Sequence, residues 1–214
     1  YHKIIFADCD DVLAENRIEV VSDMLDRDYI VVNDLDIIDA KGCEKEARYF
    51  SQRFGENETI MVNSLRAGNM MGLTNSAVRA ELLQKCPALE SGDSEAFDWY
   101  LWSSVLLEGR KAQFTSKTST KYRVHSSNIA GLPQQLNEGS LLKGVAVKCR
   151  HYELMSKLDE NYSELANEFR WLSNKVKDRN WCVEYLSVLQ EHKTKYHIWW
   201  ENIRTPSEVA LYED

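Results

Sequence analysis

The sequence is short of positive charge. Lysines and arginines number 26 against 34 aspartates and glutamates, a formal net charge of −8 over 214 residues. The basic patch or stripe of a general nucleic-acid binder is therefore missing, although a local basic pocket for a phosphorylated ligand is not excluded. Paired cysteines are missing too. The five, at 9, 43, 86, 149 and 182, show no C-x-x-C spacing. An odd, scattered set fits reduced thiols in a cytoplasmic protein, not a disulfide framework or a zinc site. No apolar run approaches the length of a membrane span, and no signal peptide is present. Neither a G-x-S-x-G elbow nor a G-x-x-x-x-G-K phosphate loop occurs, so Ser-His-Asp catalysis has no local support. Repeats, low-complexity runs and long heptad patterns are also absent. The chain opens at Tyr1, without a methionine and directly on a strand pattern, so further chain is expected to precede it.

What is present suffices for one substantial domain, or a domain with an appendage. Ile4, Ile5 and Phe6 make a short apolar run that stops at three acids, Asp8, Asp10 and Asp11. A buried strand ending in carboxylates delivers charge to one edge of a sheet, where ligands of open α/β sheets bind. Such oxygen ligands suit Mg²⁺ or Mn²⁺, which then hold a phosphate; the plainer alternative is a solvated acidic turn.

Further along, Ala14 to Arg27 has helical spacing, with Ile18, Val21, Met24 and Leu25 on one face. Tyr29 to Asn33 is a strand that Leu35 to Ile38 continues, followed by a turn through Gly42. Glu44 to Asn57 is polar and undefined, and Glu58 to Arg66 fits one or two helical turns. Gly68 and Gly72 in an apolar segment mark close approach of backbone or ligand. Asn75 is placed to cap a helix over Ser76 to Lys85, which Pro87 ends. Ser91 to Glu95 reads as a loop. A helix is expected over Glu95 to Glu108, ended by Gly109. Strands follow over Lys111 to Thr115 and Ser119 to Val124, then a loop from His125 to Gly131. After Pro133 the pattern is helical, with helices expected near 140–158, 161–177 and 180–203 and a frayed tail of ten residues. The tryptophans at 171, 181, 199 and 200 fit core packing or an interface better than a cofactor site.

Three groups carry chemistry: Asp8 with Asp10 and Asp11; Asp98 in the first turn of a helix; and Arg123 with His125 at a strand end. The helix dipole favours an ionised Asp98, which can serve as general base toward a sugar hydroxyl. Arg123 can grip phosphate and His125 a metal or phosphate oxygen, although a lone histidine at a strand end is more often only hydrogen-bonded. The remaining histidines, at 2, 151, 192 and 197, lack ligand spacing.

Taken in order, Phe6-Ala-Asp-Cys-Asp-Asp-Val-Leu13, Tyr29-Ile-Val-Val-Asn33, Ile38-Asp-Ala-Lys-Gly42, Gly68-Asn-Met-Met-Gly-Leu-Thr-Asn75, Phe97-Asp-Trp-Tyr-Leu-Trp102, Leu107-Glu-Gly-Arg-Lys-Ala112 and Tyr122-Arg-Val-His-Ser-Ser-Asn-Ile129 resemble the C-terminal half of inverting family 2 nucleotide-sugar glycosyltransferases of the GT-A fold. The resemblance covers residues 3–131. It implies an α/β fold: a GT-A-like mixed sheet flanked by helices over 1–132, followed by an all-helical C-terminal extension over 133–214 that matches no family motif. It implies Asp98 as catalytic base, and Asp8, Asp10 and His125 holding Mg²⁺ or Mn²⁺. Asp11, Gly68, Asn69, Trp99 and Arg123 would bind substrate. The partners implied are a nucleotide-sugar donor and a glycan or lipid-linked acceptor, with no nucleic acid, in glycan or surface polysaccharide synthesis. The setting would be cytoplasmic or peripheral at the inner membrane face; the C-terminal helices lack the strongly basic face that favours adsorption. The family's first half, with much of the nucleotide pocket, would precede this chain.

Two rivals share these residues. Ile4 to Leu13 also resembles the nucleophile motif of haloacid dehalogenase-type phosphatases, with Asp8 attacking phosphorus, Asp10 as acid/base and Gly92-Asp93 as a later acidic motif. Against it, no apolar strand runs into Gly92. The other rival is a non-catalytic helical interaction module, forming a homo-oligomer through its tryptophan-rich C-terminal helices.

Overall fold

The longest β-branched run gives the sheet its centre. Ile30–Asp39 forms one continuous, almost wholly buried strand, β3, in a computed structural model that describes residues 2–84, 86, 94–125, 128 and 136–209. Around it lie β1 (Lys3–Ile5), β2 (Val12–Leu13), β4 (Glu44–Glu46), β5 (Thr59–Ile60), β6 (Ser76–Arg79) and β7 (Ala112–Val124). They build a seven-stranded mixed sheet in the order β1-β6-β3-β7-β2, with β4 added to β3 and β5 to β7. Among the described residues, only the β3–β7 pairing is parallel. The two strands expected over 111–124 are one. Its register jumps from Asn33 opposite Thr115 to Asp34 opposite Ser119, so residues 116–118 bulge out. Glu56 pins the bulge, its carboxylate accepting from Ser116 N at 2.5 Å and Thr115 Oγ1 at 3.0 Å. Such an insertion bends the strand locally without ending it.

Alternation along β3 sorts the layers. Val31 faces Val21, Met24 and Leu25 of α1 (Arg17–Leu25), together with Ala77. Ile30 and Val32 face the opposite, larger core. Ile18 was expected on the buried face of α1 but is 61% exposed; the helix starts only at Arg17, and its packed stripe runs through 21, 24 and 25. Across the sheet lies α2 (Phe97–Leu107), whose residues Trp99 to Leu106 are all buried. A helix apolar on every side must be covered on every side. Trp102 meets Phe6 edge-on at 6.0 Å, and Trp99 stacks on His151 of the next helix layer at 3.7 Å.

That layer is α3 (Glu138–Met155), α4 (Ser163–Lys175) and α5 (Arg179–Glu191). Asn137 and Ser140 cap α3 reciprocally, and Asp178 caps α5 through the amides of Asn180 and Trp181. The core is continuous from Ile30 on the sheet to Val209. Among the described residues, no helix is long and apolar enough to cross a membrane.

Four expectations are corrected. Ser76–Arg79 is a strand, followed by a 3₁₀ turn over Ala80–Leu83. Pairing with β1 and β3 overrides local helix preference there, and the Asn75 amide turns inward to the carbonyls of Asn33 and Met70. The segment 58–66 splits into β5 and a 3₁₀ turn over Val62–Leu65. The third C-terminal helix stops at Glu191, so the region is not helical throughout; the chain folds back and Trp199 bridges Asn69. Residues 205–209 are no frayed tail, since Thr205 and Val209 are buried. Residues 87, 91–93, 126–127, 129–135 and 210–214 lie outside the described residues, and with them much of the two expected loops and the boundary at Pro133.

The fold-back presses on Gly68. A Cβ there would stand 2.4 Å from the Trp199 carbonyl oxygen and 2.9 Å from the Glu201 nitrogen. Gly68→Ala is expected to destabilise the protein by about 1–3 kcal/mol in urea unfolding. Gly55→Ala, whose Cβ meets nothing closer than 3.9 Å, is expected to stay within about 0.5 kcal/mol of the parent. Equal midpoints for the two variants would contradict this account of the turn.

Candidate functional site

β1 and β2 occupy opposite edges of the sheet, so the acids between them cross its end. The turn closes through a bond from Asp11 N to Asp8 O at 3.3 Å. Two arginines hold it. Arg17, fully buried, donates to the Phe6 carbonyl at 2.9 Å and to Asn33 Oδ1 at 2.7 Å. Arg123 donates Nε to the Asp10 carbonyl at 2.7 Å and Nη1 to the carbonyls of Asp39 and Ala40 at 3.2 and 3.3 Å. Its amide donates to Asp11 Oδ1 at 2.8 Å. Arg123, offered by the sequence as a phosphate ligand, thus clamps the acid turn to the turn after β3. Across from it, His125 Nε2 lies 2.8 Å from Asp10 Oδ2.

The carboxylates are not equivalent. The bond to His125 holds Asp10 below the usual carboxylate range. Desolvation, then the charges of Asp11 and Asp10, raise Asp8. Asp11 is also raised, by desolvation, against the bonds it receives from Thr74 and the Arg123 amide.

Asp98 enters from the other side, in the first turn of α2, its Oδ1 accepting from Trp99 N at 2.8 Å. Gly72 leaves room for it: a Cβ there would stand 3.7 Å from Asp98 Oδ2. Dipole and amide do not keep its pKa low, as expected from sequence. Burial lifts it to about 6, with the charge of Asp8 adding, against the Trp99 amide and the Asn69 side chain. Asp98 still ionises at neutral pH, but with far more basicity than an exposed aspartate.

Asp8, Asp10, Asn69 and Asp98 line one cavity of about 280 Å³, together with Gly72, Thr74, Tyr122, Trp199 and Trp200. This is near the lower end for small-molecule sites, about 300–1,000 Å³. His125 and Asp11 adjoin it through Asp10 and Arg123. Gly68 and Trp99 do not line it. Gly68 serves the close approach of the fold-back, and Trp99 is wholly buried, its Nε1 donating to the Leu65 carbonyl at 2.8 Å. The aromatic wall is instead Tyr122, Trp199 and Trp200. Helical spacing had put both tryptophans in a helix; their adjacency was the contrary signal, since neighbours in a helix face different sides.

No protein-family model matches this chain, and no curated protein matches it. What the site can do follows from its geometry. Among the described residues, no group of three or more His, Cys, Asp or Glu side chains is arranged to hold a metal ion by itself. Asp10 Oδ2 and His125 Nε2 are bonded to each other, with Asp8 two residues back along the turn. The carboxylates are oxygen donors of the kind that Mg²⁺-type ions use when phosphate oxygens and water complete the shell. Gly92 and Asp93, which the phosphatase pattern needs, lie outside the described residues.

The raised pKa of Asp98 has a stability consequence. Its folded value, about 6, exceeds the ordinary 3.8. The protonated carboxyl therefore contributes stability that is present below about pH 4 and lost as pH rises through 6. At 1.36 kcal/mol per pH unit, the loss approaches about 3 kcal/mol. In metal-free buffer, Asp98→Asn is expected to be more stable than the parent at pH 7 by up to this amount and equal to it near pH 4, by urea unfolding at both pH values. A pH-independent difference would contradict the burial of this carboxyl.

Proposed function

We propose that this chain carries the catalytic centre of an inverting glycosyltransferase of GT-A type, moving a sugar from a nucleotide-sugar donor to a hydroxyl of a glycan or lipid-linked acceptor. The observation that supports it is the meeting in one cavity of two unlike acid sites. One is the Asp8/Asp10 turn with His125; the other is the basic carboxylate Asp98, aimed in from a separate helix.

In this reading Asp10 and His125, with Asp8, would hold a divalent cation, which would supply positive charge against that developing on the leaving diphosphate. Asp98 accepts the proton of the acceptor hydroxyl as its oxygen bonds to the anomeric carbon. The anomeric C–O bond breaks on the opposite side, and the nucleoside diphosphate departs with that electron pair, inverting the configuration. Asn69 steadies Asp98, and Arg123 acts on the reaction by fixing the acid turn.

Two measurements test this. Calorimetric titration with nucleoside diphosphates should show binding that needs Mn²⁺ or Mg²⁺. Asp10→Ala should weaken it by at least about tenfold, a loss typical even of groups that only orient a ligand. Binding indifferent to both metal and substitution would overturn the reading. Asp98→Asn should lower turnover by about 10²-fold or more while leaving nucleotide affinity within about twofold. The parent's kcat/KM should fall on the acid side of a pKa near 6, where Asp98 takes up its proton.

A further inference from the structure

The fold-back after α5 is fixed by several specific contacts. Glu201 N donates to the Ile198 carbonyl at 3.1 Å, closing a four-residue turn with Trp199 and Trp200 at its corners. Trp200 sits at φ 69°. A left-handed third residue is the pattern of a type II turn, a position that glycine or asparagine normally fills. Here it carries the largest side chain. The turn is fixed on every side. Asn69 and Trp199 exchange two backbone bonds, 2.8 and 2.9 Å. Arg53 forks onto Glu201 at 2.5 and 2.7 Å. Gly68 and Gly144 provide the clearance, a Cβ on Gly144 falling 1.9 Å from Ile203 Cδ1 and 3.4 Å from Trp200 Cε3.

The two rings play different parts. Trp199 is buried and anchors the turn, edge-on to Phe50 at 5.9 Å and Tyr122 at 5.5 Å. Trp200 is half-buried and lines the cavity of Asp8, Asp10 and Asp98. Backbone strain that the surroundings over-determine points from an outlier to a function. A rigid aromatic face beside carboxylates suits a ligand that is apolar on one side and hydroxylated on the other.

We propose that the Trp199–Trp200 turn is a saccharide platform, on which the C–H face of a pyranose stacks against Trp200, and that the sugar it holds is the acceptor. Position in the cavity selects the acceptor. Asn69, bonded through its backbone to Trp199, lines the same cavity as Asp98, Trp199 and Trp200, so the platform shares the cavity of the proton-accepting carboxylate. Asp10 and His125, at the diphosphate end, are tied instead through Arg123 to the turn after β3. The saccharide site stands on geometry alone; its assignment to the acceptor rests on the transferase reading.

Saturation-transfer NMR with methyl β-D-glucopyranoside, methyl β-D-galactopyranoside and cellobiose tests the platform without any turnover, alongside calorimetry with nucleoside diphosphate and Mn²⁺. Trp200→Gly is the informative variant, since glycine adopts φ 69° freely and the fold is expected to survive. The parent should bind at least one of the saccharides, Trp200→Gly should lose about tenfold or more of that affinity, and Trp200→Phe should keep most of it. Nucleotide binding should be unchanged in both. Saccharide binding unaltered in a folded Trp200→Gly protein would overturn the proposal, as would nucleotide binding with no saccharide bound. Saccharide binding lost in Trp200→Gly, in a protein that binds no nucleotide, would support the platform and overturn the transferase.

Discussion

A single guanidinium, that of Arg17, is buried where the strands of this sheet converge, and every oxygen it bonds is neutral: Phe6 O, Asn33 Oδ1 and Ser76 O. Burial draws its pKa down to about 10, so it stays charged at neutral pH, with the field of Asp11 favouring that charge. Asn33 passes the constraint on, donating to Thr120 Oγ1 at 3.1 Å, and Thr120 donates to the Thr74 carbonyl at 3.0 Å. One network thereby joins β1, β3, β6, β7 and the irregular 70–75 segment. An apolar side chain could fill the same volume. It would not dictate where the chain leaves β1, and that exit sets where Asp8, Asp10 and Asp11 emerge. A fully satisfied polar network fixes one arrangement, and its members must keep their partners because a broken buried bond costs more than it contributes.

Electrostatics then give the pocket its character. Asp8, Asp11 and Asp98 all lie above their ordinary range because burial and mutual repulsion disfavour their charge. Only Asp10 is drawn down, by His125. Arg123 offsets part of that charge at Asp10 and Asp11, although its guanidinium is bonded to carbonyls. In the proposed transferase this is the charge that a divalent cation would offset; the acid turn itself follows an edge strand, and Asp8 on it is exposed. Burial, with the charge of Asp8 adding, makes Asp98 the most basic of them at about 6.

Much of this was legible in the sequence. The β1 run stopping at carboxylates, the β-branched β3, the turn at Gly42 and the Phe97–Leu107 helix all follow from local pattern, and there the structure agrees, except that β1 is a half-buried edge strand and not a buried one. The failures have one physical source: tertiary pairing. Ser76–Arg79 has no strand periodicity of its own, and becomes a strand because β1 and β3 need something between them. The bulge at 116–118 looked like a gap between two strands, because a register shift interrupts alternation without ending the strand. Asp8, Asp10 and Asp98 stand out by residue type and Asn69 only through the family resemblance; all four line the cavity, while Trp99 and Arg123 take structural places. A tryptophan beside a catalytic acid and an arginine at a strand end give no sign of whether they face a ligand or the protein. Trp199 and Trp200 were misplaced because a fold-back over 130 residues of chain leaves no local trace.

The costs in the structure are concentrated at the cavity. Trp200 holds a left-handed backbone, about 1–3 kcal/mol for a side-chain-bearing residue. Gly68 and Gly144 forgo side chains so that the turn can approach, and Asp98 is desolvated near neighbours of its own sign. The strained Trp200 and the desolvated Asp98 do not help the fold, whereas the two glycines admit the turn. Glycine at 200 and asparagine at 98 would be the more comfortable residues, so the chain carries two substitutions' worth of avoidable instability in one place. Stability gained elsewhere, in the apolar layer of α2 and α3, has to carry that load. In the proposed transferase the two have separate uses: the aromatic at 200 holds the sugar, and the raised carboxylate at 98, 3.7 Å from the Cβ position of Gly72, takes the proton of the acceptor hydroxyl.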